Sequence, residues 1–396
     1  MRIILFDLLF AQPHDDVKFH GGGEYTKTIF LKLVEIITDK RMLHVVADRS
    51  KYLDEKIVNV IEDNNITLHN VKNEDDIIHV IRNMSKEQSL LFFAGMIYPY
   101  RKSVFGDNVF AVGVCHGLRM MEIPKDRYSL LYAKSFKSFS REFIRMLIPT
   151  KVLYGHSKKK YVDALSKFDL IYTVSKHSLY SIKTHCFSDD LNINIKVHYQ
   201  TLKYNSYESR ASLSEVRYEY KANKYILMIS ADRWEKNSYR GIKALDALIS
   251  EGKMSGYQVV VLGNYPRILR KLVENRERFL FKGYVEADEL EYAYQNCKIF
   301  FYPSLNEGYG LPPMEAMKYK KTCVLSSVCS LPEVYGEAVY YCNPYDIGEM
   351  KVRIMEALNE EIPASAIDFR MRQLAGIQSE STKELLRVLM GEAQLD

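Results

Sequence analysis

Residues 301–315 read FYPSLNEGYGLPPME. The apolar run IFFYP (299–303) predicts a buried strand, and Gly308 and Gly310 predict a loop after it. Pro312 and Pro313 predict a helix start, where a missing N–H has no intrahelical partner to lose. A strand, a glycine-containing loop and a helix start in this order can hold an anion. Free backbone N–H groups and the positive end of the helix dipole point at the same spot. Glu307 and Glu315 stand eight positions apart in the stretch. Carboxylates there repel phosphate but accept hydrogen bonds from hydroxyls. Amides for phosphates and acids for hydroxyls suit a nucleotide-sugar. Taken alone, Glu315, expected in the helix's first turn, reads better as an acid favoured by the dipole; the Gly-x-Gly segment, the PS turn and the EAM continuation reverse that reading.

The surrounding chain repeats the strand–helix alternation. Apolar runs at 2–9, 42–47, 90–95, 110–117 and 170–175 predict buried strands, and 24–38, 54–64 and 74–84 have helical spacing. Residues 203–224 are polar and lack a core pattern, which marks a domain junction. The alternation restarts with strands at 225–230, 258–263, 278–283, 298–303, 322–327 and 338–342. The fold class is therefore α/β: two Rossmann-like, doubly wound domains in series, facing across a cleft. The expected boundaries are 1–205, 206–375 and a C-terminal helical segment 376–396 that packs back on the first domain. Ligands of such sheets sit at the carboxyl ends of the strands, where 303–315 lies.

With 396 residues, two domains are expected. No apolar stretch is long enough to span a bilayer, and the start reads as a first strand rather than a secretion signal. Cysteines 115, 186, 297, 323, 329 and 342 lack metal-ligand spacing, which fits reduced thiols and a cytoplasmic setting. A net charge of +5 is no nucleic-acid signature. Residues 130–167 are unusual. Lys134, Lys137, Arg141, Arg145, Lys151, Lys158, Lys159, Lys160 and Lys167 face only Glu142 and Asp163. Phe136, Phe139, Phe143, Met146 and Leu147 recur at helical spacing within it. The segment is either a helix with its apolar side on the core or a contact for an anionic membrane surface.

Three further constellations carry possible chemistry. Arg233 and Lys236 lie in ISADRWEKNSYRG (229–241), where a strand end meets a helix start. Cations there neutralise a departing diphosphate, or they are part of a solvent-facing turn. Arg240 is an alternative second charge. Gly21, Gly22 and Gly23, expected just before a helix, allow close backbone approach to a ligand or simply form a turn. His116, at a strand end beside Gly117, is a structural histidine or a ligand contact, and Arg119 is a further candidate. Glu333 and Lys158–Lys160 are weaker ones. There is no DxD, HExxH, Walker loop or Ser-His-Asp pattern.

The stretch PSLNEGYGLPPMEAM resembles the E-x(7)-E signature of the family 4 retaining glycosyltransferases of GT-B fold. The likeness is strong over 278–346 and weaker at 1–30, 110–117, 168–182 and 225–245. It implies that Glu315 binds the donor ribose hydroxyls and that Glu307 approaches the transferred sugar. The amides around Gly308, Tyr309, Gly310 and Leu311 would meet the sugar and phosphates. By the same resemblance Lys236, with Arg233, faces the diphosphate, Gly22 and Gly23 lie near donor phosphates and acceptor, and His116 touches the donor sugar. Two positions where the family often has glycine and proline hold Lys320 and Thr322. The Arg–Lys spacing is three rather than five or six.

The expected function is retaining, metal-independent transfer of a hexose from a UDP- or GDP-linked donor. The expected acceptor is a saccharide or lipid-linked saccharide of a surface polysaccharide, on the cytoplasmic side of the membrane. The alternatives are a nucleotide-sugar epimerase or phosphorylase of the same build and a non-catalytic binding subunit. Donor base, sugar, acceptor, linkage and oligomeric state are not written in these residues.

Overall fold

The computed structural model describes residues 2–13, 21–187, 193–201, 219–229 and 231–392. Most of the junction expected over 203–224 lies outside them. The chain divides into two compact units. One comprises Met1–Leu118, Gly155–Ser206 and Ala375–Asp396, and the other Arg119–Tyr154 and Tyr207–Leu374.

The first unit is built on seven parallel strands: β1 (Ile3–Asp7), β2 (Leu43–Ala47), β3 (Thr67–Asn70), β4 (Leu90–Ala94), β5 (Val109–Cys115), β6 (Leu170–Thr173) and β7 (Asn194–Val197). They lie in the order β3-β2-β1-β4-β5-β6-β7. The central strands read as nearly unbroken apolar runs because helices cover both faces, and every side chain of β1 and β4 is buried. Phe6 of β1 pairs with Phe93 of β4, their rings stacked at 4.6 Å. The edge strands β3 (TLHN) and β7 (NIKV) carry no such run and are half-exposed, so sequence periodicity missed them.

The second unit has six parallel strands: β8 (Tyr225–Ile229), β9 (Gln258–Leu262), β10 (Phe279–Phe281), β11 (Ile299–Tyr302), β12 (Thr322–Ser326) and β13 (Tyr340–Cys342). Their order is β10-β9-β8-β11-β12-β13. In each sheet the winding reverses beside the first strand, between β1 and β4 and between β8 and β11. The loops leaving β8 and β11 therefore diverge at a switch point, where such sheets open a crevice.

Two expectations about organisation meet the structure differently. The last helix, Ala364–Leu389, docks on the first unit from Ala375 on, as expected. Gln378 Nε2 donates to the Gln200 carbonyl at 2.6 Å, and Ser381 Oγ accepts from Tyr199 N at 3.2 Å. Residues 119–154, expected in the first domain, cluster with the second instead. Polar bonds hold them there: Asp126 binds Arg240 at 2.8 Å, and the Tyr132 hydroxyl accepts from Tyr239 N at 2.9 Å. Lys320, standing where the resembled family often has glycine, has a left-handed φ of 58°. A lysine holds that turn with some strain that glycine would not have.

Asp7, at the carboxyl end of β1, is buried, and burial pushes its carboxyl up to about 7 against the hydrogen bond from Tyr100. The neutral acid fits the fold, so its contribution is complete below the unfolded carboxyl value. It drains away as pH rises towards about 7. Asp7→Asn, neutral at every pH, is expected to flatten this decline. At pH 8 it should raise stability by a few kcal/mol, at roughly 1.4 kcal/mol per pKa unit. Denaturant melts of both proteins from pH 4 to pH 8 check this.

Candidate active site

The loops after β8 and β11 are stapled to one another. Leu305 N donates to the Glu235 carbonyl at 2.7 Å. Asn237 Nδ2 donates to the carbonyls of Pro303 at 3.0 Å and Pro344 at 2.6 Å. Asn237 sits between the short helical turn Trp234–Lys236 and the helix Ser238–Ser250, with φ 58°. Asparagine tolerates that left-handed conformation better than most residues. The geometry therefore explains why Lys236 is followed by Asn237.

This stapling brings Lys236 and Glu307 together. Lys236 Nζ lies 2.6 Å from Glu307 Oε1 and 2.6 Å from the Tyr302 hydroxyl. Tyr302 donates to the same Oε1 at 2.7 Å, and so does Ser304 Oγ at 2.6 Å. The side chains of Lys236 and Glu307 are only 8% and 10% exposed. Among the described residues all three donors converge on Oε1, and none is on Oε2. Burial pushes the Glu307 carboxyl up, but the Lys236 charge and the three hydrogen bonds outweigh it and hold it below the ordinary range. Lys236 is drawn below an ordinary lysine by burial, helped by Arg233 and opposed by Glu307. Lysine has three N–H donors, so one remains beyond Glu307 and Tyr302.

Beyond Glu307 the chain turns through Gly308 and the buried Tyr309 to Gly310, whose φ is 87°. A Cβ on Gly310 would lie 2.6 Å from Leu331 Cδ2, so only glycine fits. The Tyr335 hydroxyl fixes the Gly310 carbonyl. The helix Leu311–Lys318 starts there, with proline in its first positions. Glu315 is the fifth helical residue and lies outside the first turn, contrary to expectation. The dipole effect fades within one turn, so the alternative reading of Glu315 loses its main support. Arg233 is half-exposed and lies 3.5 Å from Glu235, which Arg119 also binds. Arg240 is buried and held between Asp126 at 2.8 Å and Asn237 Oδ1 at 2.9 Å. The Glu333 carbonyl accepts from Arg370.

The remaining candidates form a separate constellation in the first unit. The three glycines lie inside the helix Gly21–Ile36, as its first residues, and not in a loop before it. A Cβ on Gly22 would meet His116 Nε2 at 3.2 Å and Met96 Sδ at 3.3 Å. His116 Nε2 lies 2.9 Å from the Gly95 carbonyl, which can only accept, so Nε2 carries the proton. Burial holds the ring below an ordinary histidine and therefore neutral near pH 7. Nδ1 is left as an acceptor. Lys158–Lys160 lie on the helix Thr150–Leu165.

Tyr302, Ser304 and Asn237 were missed as site residues. The available signal was a tyrosine ending an otherwise apolar strand, with a serine two positions on. Removing the cation tests the pair directly. Lys236→Met leaves a buried carboxylate uncompensated, a change that costs about 3–5 kcal/mol in comparable pairs. The Glu307 contribution, present above the unfolded glutamate value, is lost as pH falls through its depressed folded value. The variant should therefore lose most stability near neutrality and converge on the parent in acid, read as melting temperature from pH 3 to pH 8. Tyr302→Phe, which removes the hydroxyl's bonds to Glu307 and Lys236 but leaves the ion pair, should be milder, about 1–3 kcal/mol.

Residues 210–373 match the family model described as "Glycosyl transferases group 1". The serotype-specific mannosyltransferase WbdA of Escherichia coli is 27% identical over 309 residues, which cover 72% of this chain and 33% of that protein. The O-antigen chain mannosyltransferase B of Escherichia coli is 35% identical over 146 residues, covering 35% of this chain and 37% of its own length. The chain thus spans about a third of the length of the curated relatives it matches. The structure of Anabaena HepE in complex with UDP and glucose aligns with a TM-score of 0.65 at 14% identity. That alignment covers 97% of this chain and 99% of HepE, and it carries the fold. The protein has the GT-B fold, and its residues 210–373 resemble the group 1 glycosyl transferases.

Proposed function

We propose that the protein is a retaining glycosyltransferase that moves a hexose from a nucleoside-diphosphate sugar to a saccharide acceptor in polysaccharide synthesis. The observation that carries this is the buried Lys236–Glu307 cluster at the switch point of the second sheet, followed by the glycine-opened helix that bears Glu315. Mannosyltransferase relatives make mannose the first sugar to test, linked to GDP or UDP.

In this reading Glu315 grips the ribose hydroxyls, and the amides of Gly308–Leu311 meet the sugar and phosphates. Glu307 accepts a sugar hydroxyl through Oε2, because Oε1 is already saturated. Lys236, through its remaining N–H, and the half-exposed Arg233 stabilise the charge that grows on the departing diphosphate. In this reading these protein cations take the part that a metal plays in other enzymes. Gly22 and Gly23 approach donor phosphates or acceptor, and neutral His116 offers Nδ1 to a sugar hydroxyl. Free thiols, five of the six buried, fit a cytoplasmic setting. Among the described residues no helix is long and apolar enough to cross a membrane.

The test uses the purified protein with GDP-mannose or UDP-hexoses and a saccharide acceptor. Transfer with the donor's anomeric configuration kept, seen by NMR of the new linkage and undiminished by EDTA, is expected. Glu307→Gln should lower kcat by about 10²-fold or more, measured well below its melting temperature because it leaves Lys236 buried without its partner. Donor isomerised without acceptor would instead favour an epimerase. An inverted linkage would remove the retaining mechanism.

A further inference from the structure

The helix Phe136–Leu147 of the second unit is amphipathic in the opposite sense to a core element. None of its residues is buried. At about 100° per residue, Phe136, Phe139, Phe143 and Leu147 form one stripe with Ile144 at its edge. All five are exposed, from 43% at Phe139 to 86% at Phe136. The other side of the helix is polar, and that side is anchored. Arg145 pairs with Glu142 at 3.2 Å, donates to the Pro124 carbonyl, and lies 5.9 Å from the Trp234 ring. The sequence left open whether the apolar face would meet the core, and the structure turns it outward.

The border of the stripe is of one sign. Lys134, Lys137, Arg141 and Lys151 are exposed, and Glu142, the acid of this helix, is engaged by Arg145. We propose that this helix docks the protein on an anionic lipid bilayer. It would lie in the headgroup plane with Phe136, Phe139, Phe143 and Leu147 in the acyl boundary and the cations on lipid phosphates. A second copy is the poorer occupant. A two-fold contact through this face would bring the basic borders of the two copies together, and like charges repel. The inference concerns where the protein sits and does not depend on the reaction proposed for it.

Sedimentation of the whole protein with vesicles tests it without any activity readout. Binding to phosphatidylcholine vesicles containing phosphatidylglycerol, and weaker binding to pure phosphatidylcholine, is expected. Raising the salt to about 0.5 M should weaken it, since screening shortens the reach of the cations. Phe136→Ser/Phe143→Ser/Leu147→Ser should abolish binding. Lys137→Glu/Arg141→Glu, which leaves the apolar stripe intact, should lower affinity at least about tenfold. Circular dichroism melts of both variants should match the parent, and the charge variant keeps the test valid if the triple variant fails to fold. Absence of vesicle binding by the parent overturns the proposal. So does self-association by light scattering that the apolar variant abolishes while vesicle binding persists.

Discussion

The buried pair of Lys236 and Glu307 sets the terms for the second unit. A carboxylate with a side chain 10% exposed is costly unless compensated, and here a lysine, a tyrosine and a serine all donate to one of its oxygens. Those donors come from the loop after β8, which carries Lys236, and from the end of β11 and the loop after it, which carry Tyr302 and Ser304. The pair can form only if the loops are held in register, and the bonds from Leu305 and Asn237 hold them. The stapling also frees Glu307 Oε2 of protein donors. A fixed carboxylate with one occupied and one open oxygen is already oriented for a hydroxyl.

Two left-handed residues make the path possible. Asn237 turns the chain from the short turn carrying Lys236 into the next helix, and Gly310 turns it from the Glu307 loop into the helix carrying Glu315. At Gly310 the Leu331 side chain would touch any Cβ, so glycine is required by space as well as by φ. The first unit uses glycine differently. At Gly22 the constraint is contact alone, with His116 and Met96 pressed against the helix start.

The α/β class and the principal strands were legible because strands buried on both faces read as unbroken apolar runs. The edge strands Thr67–Asn70 and Asn194–Val197 were not, since an edge needs no such run. Glu307 and Lys236 were legible from the pattern around them. Their bond was not, because 71 residues separate them and only the switch-point topology brings them together. Residues 119–154 were misassigned for a related reason. Their attachment to the second unit rests on side-chain bonds such as Asp126–Arg240, which hydrophobic periodicity does not record. The basic helix showed its amphipathicity in sequence, but not which face the protein would leave outside.

For the proposed diphosphate role, the choice of a second cation follows from burial. Arg240 and Asp126 are each 6% exposed and paired at 2.8 Å. Drawing Arg240 away would strand a buried carboxylate, a loss of about 3–5 kcal/mol in comparable sites. Its guanidinium also lies over the rings of Tyr128 at 4.6 Å and Tyr345 at 5.3 Å, contacts that a move would break. Arg233 is 51% exposed, and its Glu235 partner is shared with Arg119. The Arg233 head stands in water although Glu235 is buried, so Arg233 can exchange its carboxylate for a phosphate provided that Glu235 stays paired. Glu235 would still keep Arg119. Arg240 thus belongs to the packing that positions Asn237, and Arg233 is the cation free to serve a ligand.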